Sequence, residues 1–81
     1  MKETDPELGK EMIRVVKRQI SMNNPPETKE TYNRLIAEGY PKDEVYRMLA
    51  SALVKDLYDM LKNRRVFDRE IYAKRLRALP E

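Results

Sequence analysis

The chain of 81 residues has no cysteine, no histidine and no tryptophan, and it has only two glycines and one phenylalanine. Each absence removes a class of chemistry. Without cysteine there is no disulfide scaffold, thiolate nucleophile, zinc finger or cysteine-held cluster, and no sign of a redox compartment. Without histidine the chain lacks the one side chain that ordinarily titrates near neutral pH, together with the commonest metal ligand and general base. A hard cation needs only oxygens, so that option stays open. No run approaches the roughly 18 consecutive apolar residues of a membrane span. The polar start, with Glu3 and Asp5, is unlike a basic leader followed by an apolar stretch. The expectation is a cytoplasmic protein with no membrane partner.

What remains is a mixture of both charges, with 17 Lys and Arg against 14 Asp and Glu, and 41% hydrophobic residues. That balance describes one folded domain over residues 1–81, since so short a chain cannot enclose two cores. Hydrophobic periodicity gives four helices, at about 5–22, 26–38, 42–63 and 68–79. The fold class is therefore all-α, a compact bundle with the third helix longest and central.

Thr4 and Glu7 have the spacing of a capping box, with Asp5 as a competing cap and Pro6 in the first turn. Leu8, Met12, Val15, Val16 and Ile20 then share one face. Two prolines after Asn24 bar the helix from continuing. Pro26 opens the second helix, whose apolar face is Tyr32, Leu35 and Ile36. Gly39 suits the left-handed position after its end, and Pro41 follows. The third helix carries Val45, Met48, Leu49, Ala52, Leu53, Leu57, Met60 and Leu61 at three- and four-residue steps. Tyr46, Ala50, Val54 and Tyr58 extend this to a second face. Asp68 caps the fourth helix, with Phe67 placed to staple onto Tyr72 and with Leu76 and Leu79 completing its stripe. No hairpin signal or strand pattern occurs.

Candidate functional residues are few. Ser21 and Ser51 have no imidazole or phosphate loop beside them, and Ser51, between two alanines, reads as a small residue for close helix packing. Glu7 with Glu11 and Glu27 with Glu30 read as solvated faces instead of acid–base couples. Asp56 and Asp59 sit one turn apart, near Lys55 and Lys62 for local ion pairs. They could hold a hard cation only if another helix added oxygens. No catalytic, cofactor-binding or metal residue is assigned, and no small-molecule ligand is implied.

Charge is uneven along the chain. The first forty residues balance at seven against seven, whereas residues 62–77 carry seven cations against Asp68 and Glu70. Arg64, Arg65, Arg69, Lys74 and Arg77 are thus the candidate contacts for a polyanion such as nucleic acid. A helix-turn-helix reading of the second and third helices is disfavoured by Asp43 and Glu44, which phosphates would repel. The two-faced third helix favours a non-enzymatic domain acting through protein contact or self-association, with Tyr46, Ala50, Val54 and Tyr58 as interface candidates.

Asp5-Pro6, Gln19-Ile20, Asn24-Pro25-Pro26-Glu27, Thr31, Arg34-Leu35 and Gly39, then Asp56-Leu57-Tyr58, Phe67-Asp68, Tyr72, Leu76 and Leu79-Pro80, resemble a family of small bacterial helical domains of unknown function. The likeness covers about residues 5–80 and implies a compact helical domain without bringing an activity. Typical members carry two histidines four residues apart in the first helix and another in the long one. The matching positions here are Gly9, Ile13 and Arg47, so any imidazole chemistry of the family is lost in this chain.

Overall fold

Helix termination decides the architecture, because three connections of a few residues must each reverse the chain. The structure is a computed structural model. It describes residues 6–80, with side chains from Gly9 onward. The expected cap at Thr4, Asp5 and Glu7 lies outside the described residues and side chains. Four helices follow in order: α1 Pro6–Met22, α2 Pro26–Ala37, α3 Lys42–Asn63 and α4 Arg69–Arg77. They agree with the sequence reading to within two residues at every described end.

Each of the first three helices ends on a residue with positive φ: Asn23 at 53°, Gly39 at 101° and Arg64 at 50°. In each case the next amide turns back to a carbonyl of the last turn. Asn24 N donates to Gln19 O, Tyr40 N to Leu35 O, and Arg65 N to Met60 O. This left-handed closure satisfies carbonyls that would otherwise face the solvent unpaired. Glycine adopts it freely, whereas at Arg64 the Cβ makes it cost about 1 kcal/mol. The starts are built differently. Pro25 and Pro41 cap α2 and α3 with extended backbone and no side-chain hydrogen bond. Asp68 does cap α4, its Oδ1 accepting from Glu70 N and Ile71 N. The Phe67 ring meets Tyr72 edge-on at 5.7 Å, the staple expected from the sequence.

α3 is the axis of the bundle, in contact with α1, α2 and α4. Around it close Val16 of α1, Leu35 of α2, Val45, Leu49, Ala50, Ala52 and Leu53 of α3, Tyr72 and Leu76 of α4, and Leu79 beyond it. Burial of a Leu or Val side chain contributes about 1.5–3 kcal/mol, so this one cluster carries the apolar stabilisation of the fold. The radius of gyration, 12.2 Å, is that of a chain folded around a single core.

Along α3 the expected core face holds as far as Leu53 and then changes. Leu57 and Leu61 are exposed, and the buried position is Asp56. α4 meets this part of α3 on the side of Asp56, through Arg75, while α1 runs along another side of the same helix as far as Tyr58.

Replacing Arg64 by glycine removes the Cβ strain at an exposed position. Arg64→Gly is expected to raise unfolding free energy by about 0.5–1 kcal/mol in a urea titration. A loss of similar size would show that the left-handed turn is not strained.

Candidate functional site

Two places in the bundle gather the residues singled out from the sequence. One is a buried polar junction that holds α4, and the other is an open groove between α1 and α3.

The junction starts with Asp56, whose side chain is 1% exposed. Its Oδ1 receives Arg65 Nη2 at 2.5 Å and Arg75 Nε at 3.2 Å. One turn on, Asp59 Oδ2 receives Arg65 Nε at 2.7 Å and Arg75 Nη2 at 3.3 Å. Two guanidinium groups thus clasp two carboxylates across the α3–α4 turn. The left-handed Arg64 is what swings Arg65 back onto the helix it follows. Arg75 reaches the same spot because it lies in the inward stripe of α4, three residues after Tyr72 and beside Leu76. Hydrogen bonding from Arg65 holds the Asp59 carboxyl below its ordinary range, helped by Asn63 and by the charge of Arg75. The local pairs expected with Lys55 and Lys62 do not form among the described residues; Arg65 and Arg75 take their place. A cation here would have to displace both arginines. No three His, Cys, Asp or Glu side chains come together as a metal site among the described residues.

Further polar ties run from α4 to the other helices. Gln19 Oε1 accepts from Thr28 Oγ1 at 2.8 Å and from Tyr72 Oη at 3.1 Å, joining α1, α2 and α4. Burial raises the Tyr72 phenol above its usual range. Arg34 Nη2 donates to the carbonyls of Leu79 at 2.7 Å and Leu76 at 3.3 Å, closing the C-terminal end of α4. Arg69 pairs with Glu27 at 3.0 Å, which lowers the Glu27 carboxyl.

These ties redistribute the basic C-terminal region. Of the five candidate polyanion contacts, Arg65 and Arg69 are spent on internal carboxylates. Arg64, Lys74 and Arg77 are exposed, the first at the end of α3 and the others on α4. Arg77 also lies near enough to Glu27 to lower its carboxyl further.

The groove has a volume of ≈ 380 Å³ and is lined by Gly9, Met12 and Ile13 from α1 and by Arg47, Ala50, Ser51, Val54, Lys55 and Tyr58 from α3. It collects three of the four interface candidates: Ala50 in its floor, Val54 half-buried, and Tyr58 at 67% exposure. Tyr46 lies elsewhere. Its ring stacks on Tyr32 at 5.4 Å and receives Lys17 Nζ at 5.0 Å, so it belongs to the packing of α1 and α2 on α3. Burial raises the Tyr46 phenol. Ser51 is exposed on the groove wall, and the small residues that permit close packing are Ala50 and Ala52. Gly9, Ile13 and Arg47, the three positions that match histidines in the resembled pattern, converge on this groove. Among the described residues no carboxylate lines it. By helical spacing Leu57 and Leu61, the latter 77% exposed, prolong its apolar face past Tyr58.

Sequence reasoning missed the junction. The readable signal was Arg75, a cation inside the apolar stripe of α4, which needs an acid on whatever it packs against.

Comparison of the chain with protein-family models, with curated proteins and with solved structures found no match. Among the described residues no helix is long and apolar enough to cross a membrane.

Asp56→Ala leaves Arg65 and Arg75, 19% and 30% exposed, facing a site without its carboxylate. The expected cost is about 3 kcal/mol in chemical denaturation, against less than about 0.5 kcal/mol for Lys62→Ala at the exposed end of the same helix. Asp59 behaves differently, because its depressed folded pKa stabilises the protein above the unfolded pKa and loses that contribution as pH falls through the folded one. Asp59→Asn should therefore flatten the fall of melting temperature below about pH 4. An acid limb as steep as that of the unsubstituted protein would refute this assignment.

Proposed function

We propose that this chain is a non-enzymatic helical domain that works by binding another polypeptide through the groove between α1 and α3. The observation that carries the reading is the apolar face of Ile13, Ala50, Val54 and Tyr58, which opens to solvent and continues through Leu57 and Leu61. A small domain has every energetic reason to turn such residues inward, and contiguous apolar surface bordered by polar residues is the usual mark of a contact site. The lining supports binding over catalysis. Among the described residues Ser51 is its one hydroxyl besides Tyr58, and no imidazole, thiol or carboxylate stands beside it to take a proton.

The polyanion reading draws less support. With Arg65 drawn in against Asp56 and Asp59, and Arg69 exposed but paired with Glu27, the exposed cations among the five that make no ion pair among the described residues are Arg64, Lys74 and Arg77. Three phosphate contacts give weak binding that disappears with modest salt.

A benzophenone side chain at Ser51, introduced in cells that produce the protein, should cross-link to a second polypeptide identifiable by mass spectrometry. The same group at Lys29, exposed on α2, should give none. Equal yields from both positions, or none from Ser51, would end the groove reading.

A further inference from the structure

Resting on the reading of the groove as a protein-binding site, we propose that its occupant is an acidic amphipathic helix of another protein. The shape of the groove gives the first argument. It follows α3 from Arg47 to Tyr58, about 16 Å at 1.5 Å per residue, the length of three helical turns. Its floor is made by Met12, Ile13, Ala50 and Val54. A trough of that length between two helices seats the i, i+4 and i+7 side chains of a third helix. Met12 in the floor gives the surface room to adapt to them.

Charge supplies the second argument and decides between occupants. Among the described residues, the ionisable side chains that line the groove besides Tyr58 are Arg47 and Lys55, both cationic. Eight residues apart on one helix, they stand about 12 Å from each other along the same wall. Acids one residue outside the apolar stripe of a bound helix, at i and i+7 or i+8, repeat at the same interval. Charged residues at a groove rim select partners by complementary sign and speed their encounter.

A second copy of this chain fits poorly. In a two-fold contact the same patch meets itself, bringing Arg47 and Lys55 of each copy towards those of the other. The chain's own exposed apolar strip, Leu57, Tyr58 and Leu61, is bordered by Lys62, while its nearest acid, Asp59, is already tied to Arg65 and Arg75. Among the described residues no acid is left there to answer the two cations.

The test is a methyl and amide NMR titration of the full chain with two helical peptides of about 15 residues. Both carry leucine at i, i+4 and i+7; one is flanked by glutamates and the other by lysines. The acidic peptide should shift Ile13, Ala50 and Val54 and bind roughly tenfold more tightly than its basic twin. Arg47→Glu with Lys55→Glu should reverse that order, and because both sites are exposed the double variant should keep its melting temperature. Equal binding of the two peptides overturns the acidic partner and leaves the protein-binding reading standing. Absence of shifts with either peptide overturns both. Sodium decanoate shifting the same resonances while the acidic peptide does not would identify a small anionic amphiphile instead. A dimer in sedimentation equilibrium that Val54→Glu dissociates would replace the acidic helix with a second copy.

Discussion

The carboxylate of Asp56 is the constraint from which the rest of the bundle follows. A charged group that is 1% exposed cannot be left without partners, since taking it out of water costs several kcal/mol that only close, well-directed donors offset. Two donors reach its Oδ1 from opposite sides of one turn, while Oδ2 has no hydrogen-bond partner among the described residues. Arg65 is brought in by the left-handed residue before it, and Arg75 by the register of α4. That requirement fixes where α3 must end, how the chain turns, and which face of α4 looks inward. Hydrophobic burial supplies most of the stability, but it is tolerant of small rotations. The arginine–carboxylate junction is not, and it sets the one orientation in which Tyr72 also reaches Gln19.

Most of the fold was readable in the sequence because it is written in local signals. Pro26, Gly39 and Pro41 mark helix ends through backbone conformation and Asp68 through its side-chain cap, and the staple of Phe67 on Tyr72 spans only five residues. The periodicity of α1 and of the first half of α3 identified the core positions Val16, Val45, Leu49 and Leu53. Asn23 and Arg64 were less visible, since each is a residue that takes positive φ only because the surrounding chain demands it. The junction was legible only in part. Asp56, Arg65 and Arg75 are separated by nine and nineteen residues, and pattern reasoning sees neighbours on one helix, not partners across a turn. Lysines at Lys55 and Lys62 were nearer along the chain, yet they project from the wrong side of α3.

The same limits apply to the two candidate surfaces. Ala50, Val54 and Tyr58 share a face by spacing, and spacing placed them together correctly. Tyr46 shares that spacing too, but the helix is long enough for its first turns to lie under α1 and α2, where Tyr32 and Lys17 claim the ring. Among the C-terminal cations, counting charge could not separate Arg65, drawn in against two carboxylates, and Arg69, exposed but paired with Glu27, from Arg64, Lys74 and Arg77, which face the solvent with no ion pair among the described residues. A sum over residues 62–77 therefore overstates the charge offered outward. The groove's own sign comes from Arg47 and Lys55, which lie outside that segment.

The dependence of α3 on α4 also has an order in time. During synthesis α1, α2 and α3 emerge before Arg75 and Tyr72 exist, so Asp56 and Gln19 meet only part of their final set of donors. Until Tyr72 and Arg75 arrive, Asp56 has Arg65 as its one guanidinium partner and the inner end of α3 lacks the cover of α4. The domain consequently cannot complete its core stepwise from the N-terminus as it leaves the ribosome. α4 acts as the latch on the other three helices, its Arg69, Tyr72 and Arg75 reaching Glu27, Gln19 and Asp56 in turn.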